Sequence, residues 1–311
     1  MSKQNNTYQP LFSILIANYN NGCYLQEAID SVLAQTYPNW EIVLVDDKSS
    51  DDSFEIYKKY KEDKRFHIYF NEENKGCGYT KRRCAELAQG ELCGFLDPDD
   101  KLTPDALEVM VNEHGARAEC SLVYSTHYLW NDCLGTKTVQ DLVGPMQNGE
   151  DFLVSSRNVV SHFSTFKKNY YNKTVGINMK LKSSVDVDEY FLLEEVGELH
   201  YVDRPLYYYR QTNPNSVSIS GGDAVSKAFN NRMVASLDAF CRRIQSKSML
   251  FKRNKEKYVF RMRWQLGTYK RAVRNIDRPL IRYCYWYWVA NNFSLRSLNQ
   301  VRKILLMKVG R

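Results

Sequence analysis

No apolar run in this chain reaches the roughly 18 residues that a membrane-crossing helix needs. The opening MSKQNNTYQP has no apolar core of the secretory-leader kind, so the sequence places the protein in the cytoplasm. None of the eight cysteines (23, 77, 84, 93, 120, 133, 241 and 284) forms a CxxC pair. That spacing argues against a zinc ribbon or a dithiol redox motif and reads as small core residues kept reduced. Gly76-Cys77-Gly78 lacks the preceding strand and the spacing of a dinucleotide fingerprint. Neither an internal repeat nor a low-complexity tract interrupts the chain. Acid is scarce at one end only. Residues 241 to 311 hold 19 Lys and Arg against Glu256 and Asp277, a net of +17, whereas the whole chain carries +7. Residues 1 to 240 therefore carry −10, and an acidic body with a basic tail implies two jobs or two partners.

What is present is ordinary globular material: 311 residues, 43% hydrophobic and 25% charged, enough for one large domain or two smaller ones. Leu11 to Ala17 is a short apolar run that ends in the polar turn Asn18 to Gly22. Leu25, Ala28, Ile29, Val32 and Leu33 then recur at helical spacing. Glu41 to Val45 is a second buried-type strand, running into Asp46 and Asp47. A helix is expected over 53–62, a strand over 66–70, a helix from about Thr80 to Ala88 and a strand over 92–96. Thr103-Pro104 reads as a helix start, with a hydroxyl cap and proline at the first helical position. Beyond it come a strand at 122–125, a long irregular stretch, a helix over 185–197, a strand over 199–203 and the aromatic run Leu206 to Arg210. Strands alternating with helices predict an α/β fold with an open, mostly parallel, Rossmann-like sheet flanked by helices. Ligands of such sheets bind beyond the carboxyl ends of the strands. Here those ends carry Tyr19, Asp46, Asp47, Asp97 and Asp99.

Asp97-Pro98-Asp99-Asp100 puts three carboxylates within four positions. Held together they repel and desolvate badly unless a cation neutralises them, and a hard divalent ion, Mg²⁺ or Mn²⁺, suits carboxylate oxygen. Pro98 has no N–H and helps end the strand. The competing reading is a solvated, Asp-rich turn.

In company, these residues resemble the family-2 glycosyltransferases, inverting enzymes of the GT-A fold, and among them those that build bacterial surface polysaccharides. The resemblance covers about residues 11 to 220 and runs in order through ANYN, VDDKSSDDS, NKGCGYTKRRCAELAQGE, LDPDD, VDVDEYFLLEEVG and YYYR. It implies a catalytic domain over 1–222 followed by a basic, aromatic-rich helical region over 223–311. It also implies donor-binding roles for Ala17, Tyr19, Asp47, Lys81 and Asp97, with Tyr19 stacked on the base. Asp99 is implied as the metal ligand for Mn²⁺ or Mg²⁺, and Asp46, Asp100 and Asp188 as supporting groups. Asp186 is implied as the general base that takes the acceptor hydroxyl's proton. Alternatives stay open. Lys81 could share a solvated helix face with Arg82 and Arg83, Asp186 could merely cap its helix, and Asp188 could be the base instead. Val185 stands where relatives carry Glu. Gln211, Thr212 and Asn213 stand where many carry a metal-approaching His, which leaves a third metal contact unassigned. The resemblance implies that His162, in Ser161-His162-Phe163, lies in the stretch facing the acceptor, but it reads first as a surface or core histidine.

In the tail, Arg261, Arg263, Arg271, Arg274 and Arg278 interleave with aromatics, and Tyr283 to Trp288 concentrates more. Such a helix suits an anionic membrane surface, so 241–311 is expected to hold the protein peripherally on the inner membrane face. Packing on the catalytic domain is the alternative, and nucleic acid a weaker one because no recognised module accompanies the charge. The expected partners are a nucleotide-sugar donor, a UDP-sugar first, and a glycan or lipid-linked acceptor. A nucleotide- or glycan-binding protein that has lost catalysis is the rival reading from another class.

Overall fold

A computed structural model describes residues 8–147, 150–155 and 159–214, and most positions between 231 and 257. The chain divides into two compact units, Met1–Ser236 and Leu237–Arg311. The boundary expected at 222/223 lies outside the described residues, as does the basic aromatic run 258–311 with its expected membrane face. The described positions of the second unit are mostly helical. No described helix is long and apolar enough to cross a membrane.

In the first unit β1 (Phe12–Asn18) is flanked by β2 (Trp40–Asp46) and β4 (Leu92–Phe95), and β3 (Phe66–Phe70) lies outside β2, all four strands parallel. Ile14, Leu15 and Ile16 are all buried, so β1 is covered on both faces, which is why its sequence reads as a continuous apolar run. The intervening helices are α1 (Gly22–Leu33), α2 (Ser53–Tyr60) and α3 (Cys77–Leu87). Helix α1 buries Leu25, Ala28, Ile29 and Val32, one stripe of a 3.6-residue period. Gly22 opens that helix against α2, and a Cβ there would stand 2.8 Å from the Ser53 nitrogen.

The second half departs from a parallel sheet. After β5 (Lys101–Leu102) and α4 (Ala106–Ala116) come β6 (Cys120–Asn131), β7 (Thr136–Val139), β8 (Ser164–Lys167), α5 (Lys168–Tyr171), α6 (Val185–Glu194) and β9 (Glu198–Arg210). The sheet order is β3-β2-β1-β4-β8-β6-β9-β5, with β7 on β6. Strand β8 is antiparallel to both β4 and β6, β5 is antiparallel to β9, and β6 and β9 are parallel. The sheet is thus parallel where it was legible and mixed where the sequence read as irregular. Helix α4 begins at Ala106, two residues after the Thr103-Pro104 start signal, because the Thr103 hydroxyl bonds the Asp105 carboxylate 3.0 Å away rather than capping.

Six cysteines are described, and all six are free. Cys84, Cys93 and Cys120 are buried as expected of core thiols, whereas Cys23 and Cys133 are exposed.

Candidate active site at the carboxyl edge of the sheet

In the order β3-β2-β1-β4 the winding direction changes between β1 and β4, the place where open α/β sheets take ligands. Asn18 ends β1 beside Asp46 of β2, and the residues after β4 are Leu96 and the acid cluster. Tyr19 projects here, 48% exposed, and Ala17 is the one partly open residue of β1.

The two carboxylates after β2 are both engaged by protein. Asp46 accepts from the Tyr57 hydroxyl (2.6 Å), the Ser49 N–H (2.8 Å) and Asn18 Nδ2 (3.2 Å). Asn18 also donates to Ser53 (2.9 Å) and Tyr57 (2.8 Å), so a buried amide ties β1 to the β2–α2 connection. Asp46 therefore orients its own loop. Asp47 accepts from Asn71 Nδ2 (2.7 Å), the Lys75 N–H (2.8 Å) and the Gly76 N–H (2.7 Å). It clamps the loop before α3, where Gly76 takes φ +87°, a conformation that favours glycine. A carboxylate offers about four lone-pair sites, so these donors leave Asp47 about one for a ligand.

The acid cluster forms a turn with Pro98 at its second position, closed by the Asp100 N–H on the Asp97 carbonyl at 3.0 Å. Its members differ sharply in surroundings. Asp100 is buried and accepts from the Tyr207 hydroxyl (2.8 Å) and the Arg210 N–H (2.7 Å), so it anchors the turn to β9. Asp97 and Asp99 keep part of their surface. Asp97 meets the Lys81 ammonium at 2.7 Å. Asp99 accepts from Asn213 Nδ2 at 2.7 Å, and its carbonyl accepts from Arg210 Nε at 2.6 Å. Asn213 thus touches Asp99 from the stretch just after β9.

Electrostatics separates the three further. Burial and then the Asp97 charge raise the Asp99 carboxyl. Burial, Asp99 and Asp97 push Asp100 well above the carboxylate range. Burial alone would raise Asp97 too, but Lys81 and His162 hold it below its ordinary value. Lys81 is buried, so it is not on a solvated face. Burial would lower its ammonium, and the fields of Asp97 and Asp186 hold it above its ordinary value. Arg82 and Arg83 point elsewhere, to Glu86 and to Asn71.

Mutually repelling carboxylates, two of them open, fit a hard divalent cation: Asp99 would hold it, with water and donor oxygens completing the shell, while Asp97 is paired with Lys81. Elsewhere among the described residues, Glu119, Cys120 and Glu198 converge at the amino end of β6 and β9, away from this edge. A raised carboxyl pKa means that stability present below the unfolded pKa is lost as pH rises through the folded one. Asp99 and Asp100 therefore cost stability once ionised, and a cation relieves that cost. Mn²⁺ should raise Tm more at pH 8 than at pH 5, as scanning calorimetry would register. A shift that is equal at both pH values, or larger at pH 5, would sink this picture.

Asp186 lies in the first turn of α6, partly open, and its charge reaches Lys81 and Cys77. Asp188 is fully buried and accepts the Asn178 N–H at 2.8 Å, holding the loop that packs on α3. Residues two apart on a helix differ by about 200°, so one of this pair faces outward and the other inward. Ser184 precedes the helix with φ +55° and makes no side-chain cap.

The glycosyl transferase family 2 model matches residues 13–183, more than half of the chain. The protein belongs to this family. Chondroitin synthase of Escherichia coli is 29% identical over 204 residues, covering 64% of this chain but only 28% of that protein. Staphylococcus aureus TarS, solved with UDP, superposes with TM-score 0.61 at 16% identity, covering 93% of this chain and 77% of the other. The mannosyltransferase PcManGT of Pyrobaculum calidifontis, solved with GDP-Man and Mn²⁺, gives TM-score 0.59 at 14% identity over 98% and 82%. The fold of this glycosyltransferase is accordingly GT-A. Asn18, Tyr207 and Arg210 carry no role that the sequence alone predicts, yet each holds a site carboxylate or its turn. The first sits in the quoted ANYN and the others in YYYR, so the motifs marked them while their partners were invisible.

Proposed function

We propose that the protein transfers a sugar from a nucleotide-sugar, a UDP-sugar first, to a glycan or lipid-linked acceptor with inversion, as a step in surface polysaccharide or glycolipid assembly. The observation that carries this reading is Lys81, a buried ammonium paired with Asp97 at 2.7 Å and within reach of the Asp186 charge, so that one cation is shared by the donor acid and the open carboxylate of α6. Tyr19 offers a ring face to the base, and Asp97 faces the ribose and sugar. Asp186 accepts the proton from the acceptor hydroxyl as its oxygen attacks the anomeric carbon and the nucleoside diphosphate departs. A divalent ion on Asp99 would neutralise charge on that diphosphate. TarS with UDP and PcManGT with GDP-Man and Mn²⁺ support the donor class and the cation, and chondroitin synthase supports the polysaccharide setting.

The test is release of UDP or GDP from a panel of sugar donors, with Mn²⁺ and with chelator. Turnover of at least one UDP-sugar that stops on chelation is expected. UDP binding without turnover of any donor would favour the catalytically silent binding protein.

A further inference from the structure

A buried acid near this site has no part in the mechanism above. Glu189 follows Asp186 by three positions on α6, so the two are neighbours on one side of that helix. Glu189 is 2% exposed, and its Oε1 is enclosed without a hydrogen-bond partner among the described residues. The titratable groups that face it are Lys81 of α3, Cys93 of β4 with Asp97 just after that strand, Tyr171 of α5, and Asp186, Asp188 and Tyr190 of α6 itself. Of these groups Lys81 alone is a cation, and it is paired with Asp97 at 2.7 Å. An ionised carboxylate enclosed without a partner is costly, so such a group keeps its proton where it can. Burial, the largest influence on Glu189, pushes its carboxyl up to about 8 against the pull of Lys81, and Asp186, Asp188 and Asp97 add to the rise. At neutral pH the side chain is therefore an uncharged acid. Burial pushes the Cys93 thiol up to about 12 and raises the Tyr171 and Tyr190 phenols above their ordinary values, so none of the three gains charge where Glu189 does.

We propose that Glu189 is a positioning residue that gates donor binding by pH: uncharged, it leaves the Lys81 ammonium to Asp97, and ionised, it draws that ammonium away. This rests on the donor reading above. Glu189 gives its proton to solvent as the pH rises, and two things then change at the donor edge. A cation withdraws from Asp97, and a new negative charge stands behind the place of the diphosphate. Both weaken the hold on an anionic nucleotide. Glu189 touches no reacting atom in this scheme and acts through Lys81.

The experiment is calorimetric titration of UDP into the full chain at saturating Mg²⁺, about two pH units apart on either side of the Glu189 value, for the wild type, Glu189→Gln and Glu189→Leu. Gln keeps the shape of the uncharged acid and Leu removes its polarity, so neither variant can ionise at this position. Between the lower and the higher pH the wild type should lose at least about threefold more affinity than either variant does. Titration of the nucleotide itself is common to the three proteins and cancels. A merely structural Glu189 would change the affinity of the variants at both pH values and leave the fall equal. The proposal is overturned if the fall is equal in the three proteins, if it is larger in the variants, or if neither variant folds. Failure of the wild type to bind UDP at the lower pH would count against the donor reading instead.

Discussion

Asp186→Asn should lower kcat by about 10²–10⁴-fold while UDP affinity stays within about twofold, the range expected when a positioned general base is removed. Asn keeps the shape and first-turn position of Asp186 but cannot take a proton. The neighbouring Asp188 is a poor replacement, because that carboxylate is fully buried, out of an acceptor's reach, and one of its oxygens takes the Asn178 N–H. Asp188→Asn should therefore behave differently: it loosens the loop on α3 and lowers stability, with a smaller effect on kcat. Steady-state kinetics with the best donor of the panel separates the two. Equal losses of kcat in both variants, or an Asp186→Asn enzyme as fast as wild type, would remove Asp186 from the role of base.

The second large effect is on stability. Arg210 is 2% exposed in its side chain and joins Glu27 and Asp132, with its Nε on the Asp99 carbonyl. Its guanidinium also lies 4.3 Å from the Trp130 ring and 4.7 Å from Tyr24. Arg210→Met takes the cation from Asp132, leaves Glu27 with Lys101 alone (3.0 Å) and loosens the acid turn. Breaking a buried pair costs about 3–5 kcal/mol, and since Glu27 and Asp132 are partly exposed, about 2–4 kcal/mol is expected here. For a domain of this size that corresponds to a Tm lower by roughly 4–16 °C. Arg210→Lys should recover only part of it, because an ammonium cannot span both carboxylates and the carbonyl with a planar fork. Urea unfolding of the three proteins tests this, and a loss below about 1 kcal/mol in Arg210→Met would show that the network contributes little.

What could be read from the sequence follows from which signals are local. Strands β1, β2 and β4 are buried almost throughout and the edge strand β3 is partly open, yet all four show as apolar runs, so their places along the chain and their carboxyl ends were legible, and Phe66–Phe70 matched its expected bounds. Strand β6 was expected over four residues and runs from Cys120 to Asn131, because Thr126-His127-Tyr128 pack against β9 partners that no local pattern announces. Strand β8 has four residues in a polar setting and takes its place between β4 and β6 from tertiary contacts. The acid cluster was visible as charge, but its division of labour was not. Asp100 is taken by Tyr207 and Arg210 from about a hundred residues away, a pairing that only the fold creates. The open choice at Lys81 had the same cause, since its burial depends on Asp97 across the sheet edge.

We propose a cation-dependent nucleotide-sugar site in which Asp99 holds the ion and Asp97 faces the donor. Calorimetric titration of UDP into the wild type and into Asp99→Asn, each with Mn²⁺ and with chelator, tests it most directly. Mn²⁺ should tighten UDP binding at least about tenfold in the wild type, a gain of about 1.4 kcal/mol, and Asp99→Asn should abolish that gain. UDP binding equally well with chelator, or an Asp99→Asn protein that keeps the full Mn²⁺ effect, would contradict it.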